Sequence, residues 1–121
     1  MNKEFVPYEE ALALKELGFD ESCFSYYNTT DNELSFVYDG HNRISFRRNS
    51  QFGFACSAPL YQQAFRWFRE EHDLSHSIVE HEDKYSYSTN CGDFKIVGTY
   101  EEAELECLRK LIEIVKENKD E

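Results

Sequence analysis

Along this sequence the apolar residues switch repeatedly between helical spacing and strict alternation. Tyr8, Ala11, Leu14 and Leu17 recur every three residues, which predicts a helix. Pro7 suits its first turn, having no N–H to lose, and Gly18 suits its end. Leu60, Ala64, Trp67 and Phe68 make a second helical face, widened by Tyr61 and Phe65. Ser57 is the expected cap there, Pro59 sits just inside, and the helix should stop near His72. Thr99 and Glu102 form a capping box ahead of Leu105, Leu108, Leu111, Ile112 and Val115, the third helix. The polar tail 118–121 is expected to fray.

Between the helices the period drops to two. "CFSYYNT" and "ELSFVYD" predict strands, with Leu34, Phe36 and Tyr38 on one face and Glu33, Ser35 and Val37 on the other. "DGHN" predicts a turn, with Gly40 available for a positive φ. "RISFRR" alternates again, setting Ile44 and Phe46 opposite Arg43, Ser45 and Arg47, and "FGFAC" predicts a short strand or an extended lead into the second helix. "SHSIVEH", "KYSYST" and "FKIVG" follow that helix, separated by turns at "ED" and "NCGD". The order is α-β-β-β-α-β-β-β-α. Without strand–helix–strand alternation, a parallel crossover sheet is not expected. The pattern predicts an α+β fold, one domain over residues 1–121, with antiparallel sheets and three helices packed on them.

Each helix opens on the same spacing: "YEEA" at Tyr8–Ala11, "YQQA" at Tyr61–Ala64 and "YEEA" at Tyr100–Ala103. Glu9–Glu10 and Glu101–Glu102 suit first turns, where the helix dipole favours negative charge. Gln62–Gln63 keeps the spacing without the charge, so the motif reads as a way of opening a helix rather than as paired catalytic carboxylates. It predicts Tyr8, Tyr61 and Tyr100 buried at helix–sheet contacts, with the residues between them facing solvent.

With 121 residues, 40% apolar and 16% aromatic, the chain is long and sticky enough to bury a core. No run of about 18 apolar residues occurs, and the start lacks a secretory signal, so a soluble cytoplasmic protein with no membrane partner is expected. A net charge of −11 argues against nucleic acid as a partner, because such binding rests on Lys and Arg meeting phosphates. It suits a solvated acidic surface or one that meets a basic partner.

The residues that might carry chemistry are few. His41, His72, His76 and His81 lack the four-residue helical spacing of a zinc pair, and His76 and His81 should point to opposite faces of one strand. Cys23, Cys56, Cys91 and Cys107 are widely spaced, with no CxxC, and Cys107 falls among helix core positions. Phosphate-cradling glycine motifs are missing, since Gly18, Gly40, Gly53, Gly92 and Gly98 stand singly. No metal or cofactor is expected. Arg43, Arg47 and Arg48 cluster in an otherwise acidic chain, and their strand offers a place to hold an anion, or to pair with carboxylates such as Glu33. Tyr85 and Tyr87 share a strand face and suit either an interface or a half-buried sheet.

The blocks "EFVPYEEALALKELGFDES", "SAPLYQQAFRWFREEHDL" and "TYEEAELECLRKLIEIV" resemble a family of small phage- and prophage-encoded proteins of gut bacteria. The resemblance covers both ends and the middle of the chain. It is sharpest at "APLYQQAFRWFRE" and weak in the strands. It implies a host-directed or defence-related accessory role, and no activity, cofactor or site residue. The expected function is thus a small non-enzymatic protein acting on a protein partner or on copies of itself. A small anionic, nucleotide-like ligand on the Arg43/Arg47/Arg48 strand is the alternative. A hydrolase with a Cys–His or Glu–His pair is a third.

Overall fold

The computed structural model describes residues 2–28, 30–51 and 55–119. Three α-helices and two three-stranded antiparallel sheets follow one another in the order α-β-β-β-α-β-β-β-α, an α+β fold. The chain divides into two compact units, Met1–Leu60 and Tyr61–Glu121.

In the first unit, α1 spans Tyr8–Glu16. Gly18, at φ 99°, ends it. The Phe19 N–H donates to the Leu14 carbonyl at 2.9 Å and the Gly18 N–H to the Lys15 carbonyl at 3.1 Å, so two of the four orphan carbonyls of the last turn are satisfied. Leu14 and Phe19 are both fully buried, which adds the hydrophobic contact that accompanies such an ending. The sheet orders β2 (Leu34–Phe36), β1 (Ser25–Asn28) and β3 (Ala55–Ser57), with β1 in the middle. Helix α1 packs on β3, and Lys15 Nζ donates to the Ala55 carbonyl at 3.0 Å. The Tyr27 hydroxyl donates to the Val6 carbonyl at 2.7 Å, giving a buried tyrosine the partner that its polar tip needs.

Several expectations for this unit change. Ser57 does not cap the second helix. It ends β3 and its N–H donates to Asn49 Oδ1 at 2.8 Å. "RISFRR" forms no strand among the described residues. Ile44 bridges Tyr38 and Arg47 bridges Cys23 as isolated pairs, and Ile44 and Phe46 are exposed. The third strand is Ala55–Ser57, the end of "FGFAC", whose residues 52–54 lie outside the described residues. Because β2 ends at Phe36, the alternation of its face also ends there: Val37 is buried while Tyr38 is 56% exposed. In the "DGHN" turn the positive φ falls on Asn42 (60°) and not on Gly40, because Asp39 Oδ1 accepts from both the His41 and Arg43 N–H groups and fixes the loop.

The second unit orders β4 (His76–His81), β5 (Lys84–Thr89) and β6 (Phe94–Val97), a meander with β5 in the middle. Helix α3 (Tyr100–Lys119) lies on one sheet face, with α2 (Tyr61–His72) beside it. The Glu102 N–H donates to Thr99 Oγ1 at 3.1 Å, the expected N-terminal cap. Ala103, Cys107, Leu108, Leu111 and Val115 are buried along α3, so Cys107 is a core residue. The helix is regular to Lys119, and the last two residues of the polar tail lie outside the described residues.

The shared helix opening splits into a part that holds and a part that does not. Ala11, Ala64 and Ala103 are all buried. Tyr61 is buried and Tyr8 half-buried against Tyr27, but Tyr100 is 46% exposed, its ring edge-on to Tyr85 at 5.7 Å. Nor do all the intervening residues face solvent. Glu10 is buried because it stands four before Leu14 and seven before Leu17, on the same helical stripe.

Candidate functional site

The first unit holds an open cavity of about 460 Å³ on the side of β1 that carries Tyr26 and Asn28. Phe36, Val37, Tyr38, Arg47 and Ala55 complete the lining. Tyr26 and Asn28 are two apart on β1, so the pleat sends both to one side, while Ser25 and Tyr27 point to the other. Arg47 is held by its backbone. Its N–H and carbonyl exchange hydrogen bonds with Cys23, both at 2.9 Å, which fixes the Cα while the side chain stays exposed.

Of the three clustered arginines, the cavity takes Arg47 but neither Arg43 nor Arg48. Arg43 Nε binds Asp39 Oδ2 at 3.2 Å, so it finds its carboxylate four residues away rather than across the sheet at Glu33. The N–H groups of Arg43 and His41, then the Arg43 guanidinium, hold the Asp39 carboxyl below its usual range. The Arg48 N–H donates to Gln51 Oε1 at 2.8 Å. Among the described residues no carboxylate pairs with the Arg47 guanidinium.

In the second unit, Tyr85 and Tyr87 turn towards α3. Tyr85 meets Tyr100, and Tyr87 is buried, with burial first and then Glu106 pushing its phenol up. Lys95 on the same face binds Glu106 of α3 at 2.6 Å. The opposite face is open. Register places Val79, Ser86 and Ile96 side by side across β4, β5 and β6, with Phe94 next along β6 beside Ser88. Val79, Ile96 and Phe94 are 47%, 53% and 62% exposed, while Ser86 between them is buried. A small-residue floor thus runs along β5 between two apolar edges. Sequence reasoning passed over these residues. The signal was there, because "SIV" and "FKIV" carry apolar side chains on both parities, as a strand does when both its faces meet something apolar.

The remaining chemistry-bearing groups fall apart in space. His76 and His81 do point to opposite faces: His76 stacks on Phe65 of α2, and His81 Nε2 lies 2.9 Å from Ser86 Oγ on the open face. The partner of His81 is therefore a serine on a flat sheet, not the cysteine or glutamate of a concave site. Burial pushes the Cys23 and Cys107 thiols up to about 12 and raises Cys56 too, the opposite of what a thiolate nucleophile needs. Cys91 is exposed. No group of three or more His, Cys, Asp or Glu among the described residues is placed to hold a metal. No helix among them is long and apolar enough to cross a membrane.

No known protein family, curated protein or solved structure matches this chain.

Proposed function

We propose that this chain is a small non-enzymatic accessory protein of the cytoplasm that works by binding a protein partner through the open face of β4, β5 and β6. The observation that carries the reading is the row of Val79, Ile96 and Phe94, each close to half exposed or more, on the face that α3 leaves uncovered. Isolated apolar residues on a surface need no explanation, but three on one sheet face, with only small serines between Val79 and the Ile96–Phe94 pair, do. Its composition also suits docking: aromatic and branched side chains at the edges of a floor of serines that a partner can approach closely.

Charge narrows the partner. Two copies of this chain would bring together two bodies of −11 each, so a different protein with basic surface fits better than self-association. The resemblance to phage- and prophage-encoded proteins supports a host protein as that partner. Nucleic acid is disfavoured by the same charge.

The test is capture from bacterial lysate with the wild-type chain and with Ile96→Glu, together with light scattering of the purified chain. The reading predicts a discrete partner that the wild type retains and the variant loses. If no partner is found, if light scattering shows self-association alone, or if the variant retains the same proteins, the reading fails.

A further inference from the structure

We infer that the cavity of the first unit is a binding site for a planar aromatic compound carrying one anionic group, a carboxylate or a phosphate monoester, held by Arg47. The site is built from a different unit than the sheet face proposed for a protein partner, and neither reading depends on the other.

Arg47 is the starting point. Arg43, Lys95 and Lys110 pair with Asp39, Glu106 and Asp93. Among the described residues no carboxylate engages the Arg47 guanidinium, as none engages Arg48, Arg66 or Arg69, and of these four Arg47 alone borders the cavity. Its planar fork is shaped for two parallel hydrogen bonds to a carboxylate or phosphate. The Cys23 bridge fixes its backbone, so only the side chain must be ordered when an anion binds.

The rest of the lining selects the ring. Tyr26 and Tyr38 supply aromatic surface on which a flat ring can stack, and Tyr38 is 56% exposed and so open to one, while the Phe36 ring packs on Phe24 and Phe5. Asn28, also in the lining, accepts the Thr30 N–H on Oδ1 at 2.9 Å, and its Nδ2 group remains as a donor for a ring nitrogen or carbonyl. A volume of about 460 Å³ lies in the range of small-ligand sites. One cation in the lining matches one anionic group. A triphosphate would carry further negative charges into the field of an acidic chain, with Arg43 already bound to Asp39.

The experiment uses the full chain, with amide chemical shifts and calorimetric titration against phenyl phosphate, AMP, ATP, adenosine and inorganic phosphate. The expected result is binding of AMP or phenyl phosphate, perturbing the amides of Asn28, Tyr38 and Arg47. Adenosine and inorganic phosphate should bind at least about tenfold more weakly, because each lacks one half of the recognition, and ATP no more tightly than AMP. Arg47→Ala should weaken the AMP or phenyl phosphate affinity at least about tenfold, while Arg43→Ala and Arg48→Ala leave it within about twofold. If Arg47→Ala fails to fold, Arg47→Lys takes its place, keeping the charge and losing the fork. The inference is overturned if none of the probes binds, if the perturbed amides lie elsewhere, if Arg47→Ala binds as the wild type does, if ATP binds more tightly than AMP, or if inorganic phosphate binds as tightly as AMP.

Discussion

His76 lies flat against Phe65, ring centroids 3.8 Å apart and planes 17° from parallel. Burial, and then the nearby Arg69 charge, lower its pKa below the ordinary histidine value. The sign follows directly. Above about pH 7.5 the ring is neutral folded or unfolded and contributes no pH dependence. As pH falls below that, the unfolded chain takes up a proton that the native ring resists, so stability drops until the native pKa is reached. Denaturant midpoints should therefore fall between about pH 7.5 and 5.5, and His76→Phe, which keeps the stack, should fall less. Identical pH profiles for the two proteins would contradict this.

Asn49 bridges two distant stretches of the first unit. Its Nδ2 donates to the Phe19 carbonyl at 2.7 Å and its Oδ1 accepts the Ser57 N–H at 2.8 Å, all out of water. Asn49→Ala removes both hydrogen bonds from buried backbone groups and should cost about 2–4 kcal/mol in urea unfolding. A change below about 0.5 kcal/mol would show that the bridge carries little stability.

Gly18 and Gly40 give a matched pair of substitutions. A Cβ at either meets nothing within 4 Å, so crowding is not at issue. Gly18 needs φ 99°, and Gly18→Ala should cost about 1–2 kcal/mol. Gly40 has no positive φ, and Gly40→Ala should be near neutral or slightly stabilising by reducing unfolded-chain freedom. Equal thermal shifts for both would refute the left-handed helix ending as the reason for Gly18.

The four thiols should separate cleanly. Cys91 is exposed, while Cys23, Cys56 and Cys107 are buried with raised pKa values. Titration with a thiol-reactive disulfide at pH 8 should modify one cysteine quickly, lost in Cys91→Ser, and all four only on unfolding. Rapid reaction of Cys107 in the folded protein would overturn its placement in the α3 core.

What was legible in the sequence was local. The ends of α1 and the start of α3 are written in Gly18, Thr99 and Glu102, within one turn of where they act. The β4–β5–β6 meander is likewise a run of neighbours joined by short turns. What was not legible depends on pairing across long loops. "RISFRR" alternates like a strand, yet β1 takes Ala55–Ser57 as its second neighbour instead, and Asn49, within the loop, holds Ser57 in place. The arginine cluster marked one residue of the cavity, Arg47, but Tyr26 and Asn28 come from β1, and no spacing in the sequence connects them. The open face of the second sheet was missed because Tyr85 and Tyr87 drew attention to the face that α3 covers.

The central claim is that the partner meets the Val79–Ile96–Phe94 face. A photo-crosslinking side chain in place of Phe94, compared with one in place of the exposed Glu113 on α3, tests it in bacterial lysate. The account predicts one discrete protein adduct from position 94, none from position 113, and loss of the adduct when Ile96→Glu is added. No adduct from position 94, or the same adduct from both positions, would contradict it.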